Sequence, residues 1–195
     1  MNFIIYHSGY EAGTTEGPYD PANVTRGVDT LIKSVESNNI GRNANVYAEL
    51  GSTWRYVMRD PTTAAHLIGK LLKHIGEDNV LWGTDAIWYG SPQAQLQAFR
   101  AFTISDQFQE QFGYTALTPA LKRQVLGLNA AALFRLDADA TRCALVSDPI
   151  AGARTAAAHL RADGALPAAS RANGPTTRRE MLQWLASPAT HWTPA

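Results

Sequence analysis

The chain has 195 residues, of which 45% are hydrophobic and 17% are charged, the composition of a folded domain and not of a disordered segment. Lysine plus arginine and aspartate plus glutamate balance at 17 each, so bulk charge gives no indication of a nucleic-acid or membrane-surface partner. No apolar run reaches the roughly 18–20 residues of a membrane span, and the single cysteine, Cys143, excludes an internal disulfide. We therefore expect a cytoplasmic protein with neither a nucleic acid nor a membrane as its partner.

Strands and helices alternate in the first half of the chain. Residues 2–7 form an almost continuous apolar run, which is typical of a strand covered on both faces. The predicted strands are residues 2–7, 45–50 and 79–83, and the predicted helices are residues 23–37, capped by Asn23, and residues 62–75, opened by Pro61. This order predicts a parallel α/β sheet with right-handed crossovers.

Only helices are predicted after the third strand. They cover residues 92–102, 106–112 and 119–134, and the last is interrupted near Gly127. Beyond residue 135 the composition changes, since 16 of the last 60 residues are alanine and no strand pattern is present. We therefore divide the chain into an α/β domain, residues 1–135, and an alanine-rich helical extension, residues 136–195, which we expect to pack on the outside of the first domain.

Two side chains that can bind a metal or move a proton follow predicted strands. His7 ends the first strand and Asp85 follows the third. Because α/β enzymes assemble their sites at the carboxyl ends of parallel strands, we expect these two side chains to lie close together. A neutral imidazole can bind zinc, and a carboxylate can bind the metal or accept a proton from metal-bound water. The alternative, a hydrogen-bonded core histidine and an aspartate that caps a turn, stays open at this point.

Three further residues are candidates for contact with a substrate. Glu49 ends the middle strand, and Trp88 and Tyr89 lie in the loop just after Asp85. A solvated charge at a strand end explains Glu49 equally well, and aromatic residues near buried strands serve packing more often than binding. We retain Trp88 and Tyr89 as pocket candidates because of their position in that loop.

Two blocks of sequence resemble the end of an amidohydrolase-related protein of the amidohydrolase superfamily. The first is VLWGTDAIWYGSP, residues 80–92, because the last barrel strand of that family ends in G-T-D. The second is LGLNAAALF, residues 126–134, which matches the family helix G-x-N-A-x-x-L-[FY]. The opening strand with His7 and Gly9 is similar to the sixth strand of the family, which ends H-x-G.

The resemblance implies the fold and the chemistry. The expected fold class is α/β, the carboxyl-terminal part of a TIM-type (β/α)₈ barrel with its last three parallel strands, plus the helical extension. Asp85 is then a metal ligand or a proton acceptor, and His7 contacts the metal or orients the substrate. The implied cofactor is a divalent metal, with zinc as the first choice. The implied reaction is hydrolysis of a small-molecule ester, amide or lactone by metal-activated water, or a related decarboxylation.

The chain also departs from the family pattern. It contains no His-x-His pair, which family members carry on their first strand, and we count three strands where a full barrel has eight. His7 and Asp85 supply two ligands, whereas a zinc site needs three or four. We therefore expect a carboxyl-terminal piece of the enzyme, with exposed edges at the first and third strands that favour assembly with another copy. A truncated, non-catalytic fragment and a small α/β binding module are the alternatives.

Overall fold

A three-stranded parallel sheet organises the protein. The computed structural model describes residues 1–143 and 149–165. The strands are β1 (Phe3–Ile5), β2 (Val46–Glu49) and β3 (Val80–Leu81), in the order β1-β2-β3. In the register of the sheet Ile5 pairs with Ala48, and Ala48 pairs with Val80. The parallel α/β arrangement expected from the sequence is confirmed, and all three strands are shorter than expected.

Ten α-helices are present among the described residues. They are α1 (Val28–Ser37), α2 (Gly51–Val57), α3 (Pro61–Lys70), α4 (Ala86–Tyr89), α5 (Gln93–Ala101), α6 (Asp106–Phe112), α7 (Pro119–Arg123), α8 (Asn129–Leu133), α9 (Ala138–Cys143) and α10 (Pro149–Ala162). A π-helical turn, Leu71–Ile75, continues α3. The segment Gln124–Leu128, which is kinked at Gly127, joins α7 to α8. None of these helices is long and apolar enough to cross a membrane.

One hydrophobic core lies between the sheet and the helices. Val46 and Ala48 of β2 and Val80 of β3 are buried in it, which follows from the alternation of side chains along a strand. The apolar stripes of α1 and α3 close the core from the other side; they are Val28, Leu31, Ile32 and Val35 on α1, and Leu67, Ile68, Leu71, Leu72 and Ile75 on α3 and its π-helical turn. Both stripes follow the spacing of an amphipathic helix.

Two predictions about the first fifty residues are wrong. The first strand is not covered on both faces, because Phe3 is 49% exposed and Ile4 is 36% exposed. The first helix begins at Val28, not at Asn23. The side chain of Asp20 accepts hydrogen bonds from the Asn23 amide group and from the backbone of Ala22, and this local turn competes with a helix start.

The third strand does not have the open edge that we expected for residues 79–83. Val80 is fully buried and Leu81 nearly so. The amide group of Asn129, on α8, donates hydrogen bonds to Val80 O at 2.9 Å and to Glu77 O at 2.7 Å. The kink predicted near Gly127 is confirmed and brings Asn129 to the strand. At β1 the outer edge carries no strand partner in the described part of the chain, and association of copies there stays a prediction.

The carboxyl-terminal extension is helical where it is described. Residues 150–165, which comprise most of α10 and the three residues after it, are exposed except for half-buried Ala157. This stretch therefore does not pack on the first domain as we expected. Residues 144–148 and 166–195 lie outside the described part. The division into residues 1–135 and 136–195 stays a prediction.

A buried charge cluster fastens the loop between β1 and α1. The ammonium of Lys70, on α3, is fully buried and forms ion pairs with Glu16 of the loop and Asp29 of α1. The same loop is held at its end by Glu11, whose carboxylate accepts a hydrogen bond from Gly27 N at 3.0 Å. Tyr10 and Ala12 of this loop reach the carboxyl edge of the sheet. The cluster therefore positions a loop that borders the candidate site.

Candidate functional site

His7 and Asp85 meet at the carboxyl edge of the sheet. His7 lies in a turn directly after β1, and Asp85 lies four residues after β3. His7 Nε2 is 3.5 Å from Asp85 Oδ2, and the two side chains are 41% and 29% exposed. Their predicted proximity is confirmed. A substrate can reach both, since neither is sealed in the core.

Both residues have left-handed backbone conformations, which non-glycine residues seldom adopt. The φ angle is 55° at His7 and 48° at Asp85. The Thr53 hydroxyl, at the start of α2, donates a 2.8 Å hydrogen bond to His7 O and stabilises the first of these turns. Such conformations persist where the surroundings hold them, and they are common at functional sites. The turns bring both side chains to the same edge.

Ser52, which sequence reasoning missed, joins the two side chains. Its backbone N–H lies 3.2 Å from His7 Nδ1 and 3.1 Å from Asp85 Oδ2, and its hydroxyl donates to Asp85 Oδ2 at 2.5 Å. Because Nδ1 accepts a hydrogen bond, a neutral His7 carries its proton on Nε2, the nitrogen that faces Asp85. Ser52 therefore sets both the tautomer of the imidazole and the orientation of the carboxylate. Ser52 lies three residues after the end of β2, and a serine at such a position is too common in sequences to indicate a role.

Glu49 lies in the same site, and both of its carboxylate oxygens accept backbone hydrogen bonds. Oε1 accepts from Gly51 N at 2.7 Å, and Oε2 accepts from His7 N at 3.2 Å. The Ser8 hydroxyl donates to Glu49 O at 2.9 Å. Glu49 thus connects the turn after β1 to the start of α2, and its contact with a substrate stays a prediction.

Replacing Gly83 by alanine is expected to lower the free energy of unfolding by about 1–3 kcal/mol and to disturb the site. A Cβ atom at this position would overlap Glu49 Oε1 and lie 2.9 Å from Gly51 N. The Glu49 carboxylate would have to move and would lose its bonds to Gly51 N and His7 N. Urea unfolding measures the stability, and the NMR signals of His7 report the site. Gly17→Ala is the matched control because its Cβ would meet no atom within 4 Å; equal effects of the two changes would contradict the prediction.

The two aromatic candidates differ in position. The Tyr89 hydroxyl lies 3.3 Å from Ser52 Oγ and 3.5 Å from the Tyr56 hydroxyl, and the Arg55 guanidinium lies 4.2 Å from the centre of the Tyr89 ring. Hydrogen bonding with Ser52, which is the largest cause, and with Tyr56 lowers the pKa of Tyr89. Trp88 is 76% exposed. The structure therefore brings Tyr89 to the His7–Asp85 pair and leaves Trp88 in solvent.

A small cleft opens beside the pair. It has a volume of about 210 Å³ and is lined by His7, Tyr10, Ala12, Ser52, Thr53 and Tyr56. Pockets for drug-sized ligands occupy roughly 300–1,000 Å³, so this cleft by itself suits a small substrate group. Tyr10 and Tyr56, whose rings stack at 6.1 Å, are further lining residues that sequence reasoning did not indicate.

His7 and Asp85 fit a divalent cation as two of its ligands. Two ligands about 2.1 Å from a tetrahedral zinc ion lie about 3.4 Å apart, close to the 3.5 Å between His7 Nε2 and Asp85 Oδ2. Among residues 1–143 and 149–165, however, no group of three or more His, Cys, Asp or Glu side chains is arranged to hold a metal. Binding through Nε2 also requires the imidazole proton to move to Nδ1, where Ser52 N donates. The described residues alone do not complete a metal site.

Comparison with known proteins decides the family. Residues 36–136, just over half of the chain, match the family model described as Amidohydrolase. The chain belongs to the amidohydrolase family. The matched range contains Glu49, Ser52 and Asp85, whereas His7 lies before it and its place in the site depends on the geometry. Neither the curated proteins nor the solved structures include a match to this chain.

Family membership supports the predicted type of fold and the predicted type of chemistry. A TIM-barrel-like fold is the family's architecture, and the parallel α/β sheet with its helices is consistent with it. Metal-dependent hydrolase-type chemistry is what the amidohydrolase domain suggests, and the family usually binds divalent metals.

Proposed function

We propose that this protein hydrolyses a small-molecule ester, amide or lactone at the His7–Asp85 pair, as part of a TIM-type barrel. The observation that carries the proposal is the 3.5 Å approach of His7 Nε2 to Asp85 Oδ2 at the carboxyl edge of a parallel sheet, in a chain of this family. Decarboxylation of a related acid is the alternative chemistry at the same pair. A cytoplasmic location, and the absence of nucleic-acid and membrane partners, remain expectations from composition.

The protonation of each side chain determines its role in the proposed reaction. With its proton on Nε2, His7 donates a hydrogen bond to the substrate carbonyl and polarises it. Asp85, as the carboxylate, accepts the proton of the attacking water. Ser52 keeps the carboxylate oriented through two hydrogen bonds to Oδ2, and Tyr89 lies beside it to contact the rest of the substrate. Glu49 holds the turn that carries His7.

The proposal includes a divalent cation, with zinc as the first choice and His7 and Asp85 as two of its ligands. With the cation bound, His7 Nε2 would carry no proton, and the cation would polarise the substrate carbonyl in place of the Nε2–H group. When bound, such a cation supplies an activated water at neutral pH. The described residues contribute two donors, so further donors have to come from outside the described residues.

Because the described residues offer only two metal ligands, His7 and Asp85, a second candidate function is also favoured: this chain on its own is not catalytic. The residues of the pair would then keep the arrangement of an enzyme site without completing it. The two candidates differ in one measurable respect: the first requires turnover that depends on Asp85.

Changing Asp85 to asparagine tests the proposal. The variant keeps the shape of the side chain and removes the proton acceptor, so we expect turnover of p-nitrophenyl acetate, acetanilide or a γ-lactone to fall by about 10²–10⁴-fold. Assays with and without added Zn²⁺ measure this, and Asp163→Asn, at an exposed position, is the matched control. Turnover by the native chain that is unchanged in the variant would overturn the proposal. Folded native protein with no turnover under either condition would support the second candidate.

Zinc binding by the purified chain is expected to be weak. Structural zinc sites with four protein ligands reach apparent binding free energies of roughly 10–16 kcal/mol, and two ligands leave most of the coordination to water. Isothermal titration should show weak binding that His7→Ala or Asp85→Asn removes, while His159→Ala, on exposed α10, leaves it unchanged. Tightly held, stoichiometric zinc in elemental analysis would contradict the expectation.

A further inference from the structure

A second cavity lies between the end of α5 and the kinked segment from α7 to α8. Its volume is about 640 Å³, within the range of small-molecule sites. It is lined by Arg100, Pro119, Lys122, Arg123, Leu126, Gly127, Leu128 and Ala138. None of these residues belongs to the His7–Asp85 site.

Three cationic side chains border this cavity. Arg100, Lys122 and Arg123 form no ion pair with any carboxylate in the described part of the chain. The Lys122 ammonium is fixed there by a 2.6 Å hydrogen bond to Arg100 O, and partial burial lowers its pKa. The lining itself includes no carboxylate, and Asp137 and Asp139 are the sequence neighbours of the lining residue Ala138. The cavity therefore has a surplus of positive charge.

The rest of the lining is apolar and leaves room for a ligand. Pro119, Leu126 and Leu128 contribute hydrocarbon surface. Gly127 interrupts the helix with an extended φ of 178°, and a Cβ atom at this position would meet nothing within 4 Å. Cations beside an apolar wall match a ligand that has an anionic group on an apolar body.

We propose that this cavity binds a small organic anion, a carboxylate or a phosphate ester with an apolar body. Arg100 and Arg123 offer planar guanidinium donors that suit both anionic groups, and Lys122 adds a point charge. The apolar wall takes the body of the ligand. This site goes beyond the proposed hydrolase function, because it uses none of the residues of the His7–Asp85 site.

Binding of defined probes to the full chain tests the proposal. The probes are phenyl phosphate and benzoate, with inorganic phosphate and benzyl alcohol as the comparisons that lack the apolar body or the charge. NMR titration should show shifts of the amide signals of Leu126, Gly127 and Leu128 with the two organic anions. Their affinity should exceed that of either comparison and should fall as salt is added. A preference between phenyl phosphate and benzoate distinguishes the two anionic groups.

Variants identify the residues responsible. Arg100→Gln and Arg123→Gln should each weaken binding about tenfold, since each removes a charge-assisted hydrogen bond. Arg161→Gln, at an exposed position on α10, should leave it unchanged. Gly127→Phe, which adds a ring to the cavity lining without removing charge, should block the organic anions. Equal affinity for benzyl alcohol and benzoate, or affinity that neither arginine variant changes in folded protein, would overturn the proposal.

Discussion

Replacing Lys70 by methionine is expected to lower the free energy of unfolding by about 3–5 kcal/mol, the usual effect of removing one partner from a buried ion pair. Lys70 is fully buried, and its ammonium is the shared partner of Glu16 and Asp29. Methionine fills a similar volume, so the effect isolates the charge: the Glu16 carboxylate would stay buried without a cation. The loop that carries Tyr10 to the cleft should loosen with it, which hydrogen exchange at residues 10–17 would detect.

Two further variants test whether the loss of stability comes from the buried ion pairs of Lys70. Lys73→Met changes the same residue type one turn away at an exposed position, and we expect it to alter stability by less than about 1 kcal/mol. Glu16→Gln in the Lys70→Met background should restore part of the lost stability, because it removes one unpaired carboxylate. Urea unfolding measures all three. A Lys70→Met protein as stable as Lys73→Met would show that the cluster is not a stabilising contact.

Replacing Trp54 by alanine is expected to lower the free energy of unfolding by about 3–5 kcal/mol, as for other large-to-small changes in a core. Trp54 is 1% exposed, and its ring packs edge-on against Phe99 at 5.1 Å. The indole N–H donates a 3.0 Å hydrogen bond to Gln95 O, which would be left without its partner. Since Trp54 anchors α2, whose second residue is Ser52, the loss should also reach the site.

Trp88→Ala provides the comparison for this change. It removes the same side chain from a position that is 76% exposed, and we expect less than about 0.5 kcal/mol of change in stability. Chemical denaturation of both variants gives the difference, and the NMR signals of His7 show whether the site has moved. Similar losses in the two variants would mean that the packing around Trp54 does not stabilise the fold.

Periodic features of the sequence were reliable guides to the fold. The apolar stripes of α1 and α3, the short helix at residues 106–112 and the break near Gly127 all appear where the pattern indicated. Each depends on local spacing or on a residue with a strong backbone preference. The sequence did not predict features for which two local structures compete. One is the turn at Asp20, because of which the first helix begins later than predicted, and another is α2, the helix that follows β2.

Some residues of the candidate site could also be predicted from the sequence, and others could not. His7, Glu49 and Asp85 could be located because each follows or ends a strand, and parallel strands bring their carboxyl ends to one edge. Ser52 carries no comparable signal, since a serine after a strand is ordinary in sequence. Its importance comes from two contacts with residues 33 and 45 positions away along the chain. Sequence similarity then assigned the family through residues 36–136, which do not include His7.

Local patterns along the chain were therefore sufficient to locate the strands, most helices and the His7–Asp85 pair, because they record which face of each element is buried and where each strand ends. Tertiary packing alone decided the rest. It covered the edge of β3 with Asn129, buried Lys70 between two carboxylates, and placed Ser52 where it orients the pair. These contacts join residues distant in sequence, and their energies depend on burial and geometry that no local pattern contains.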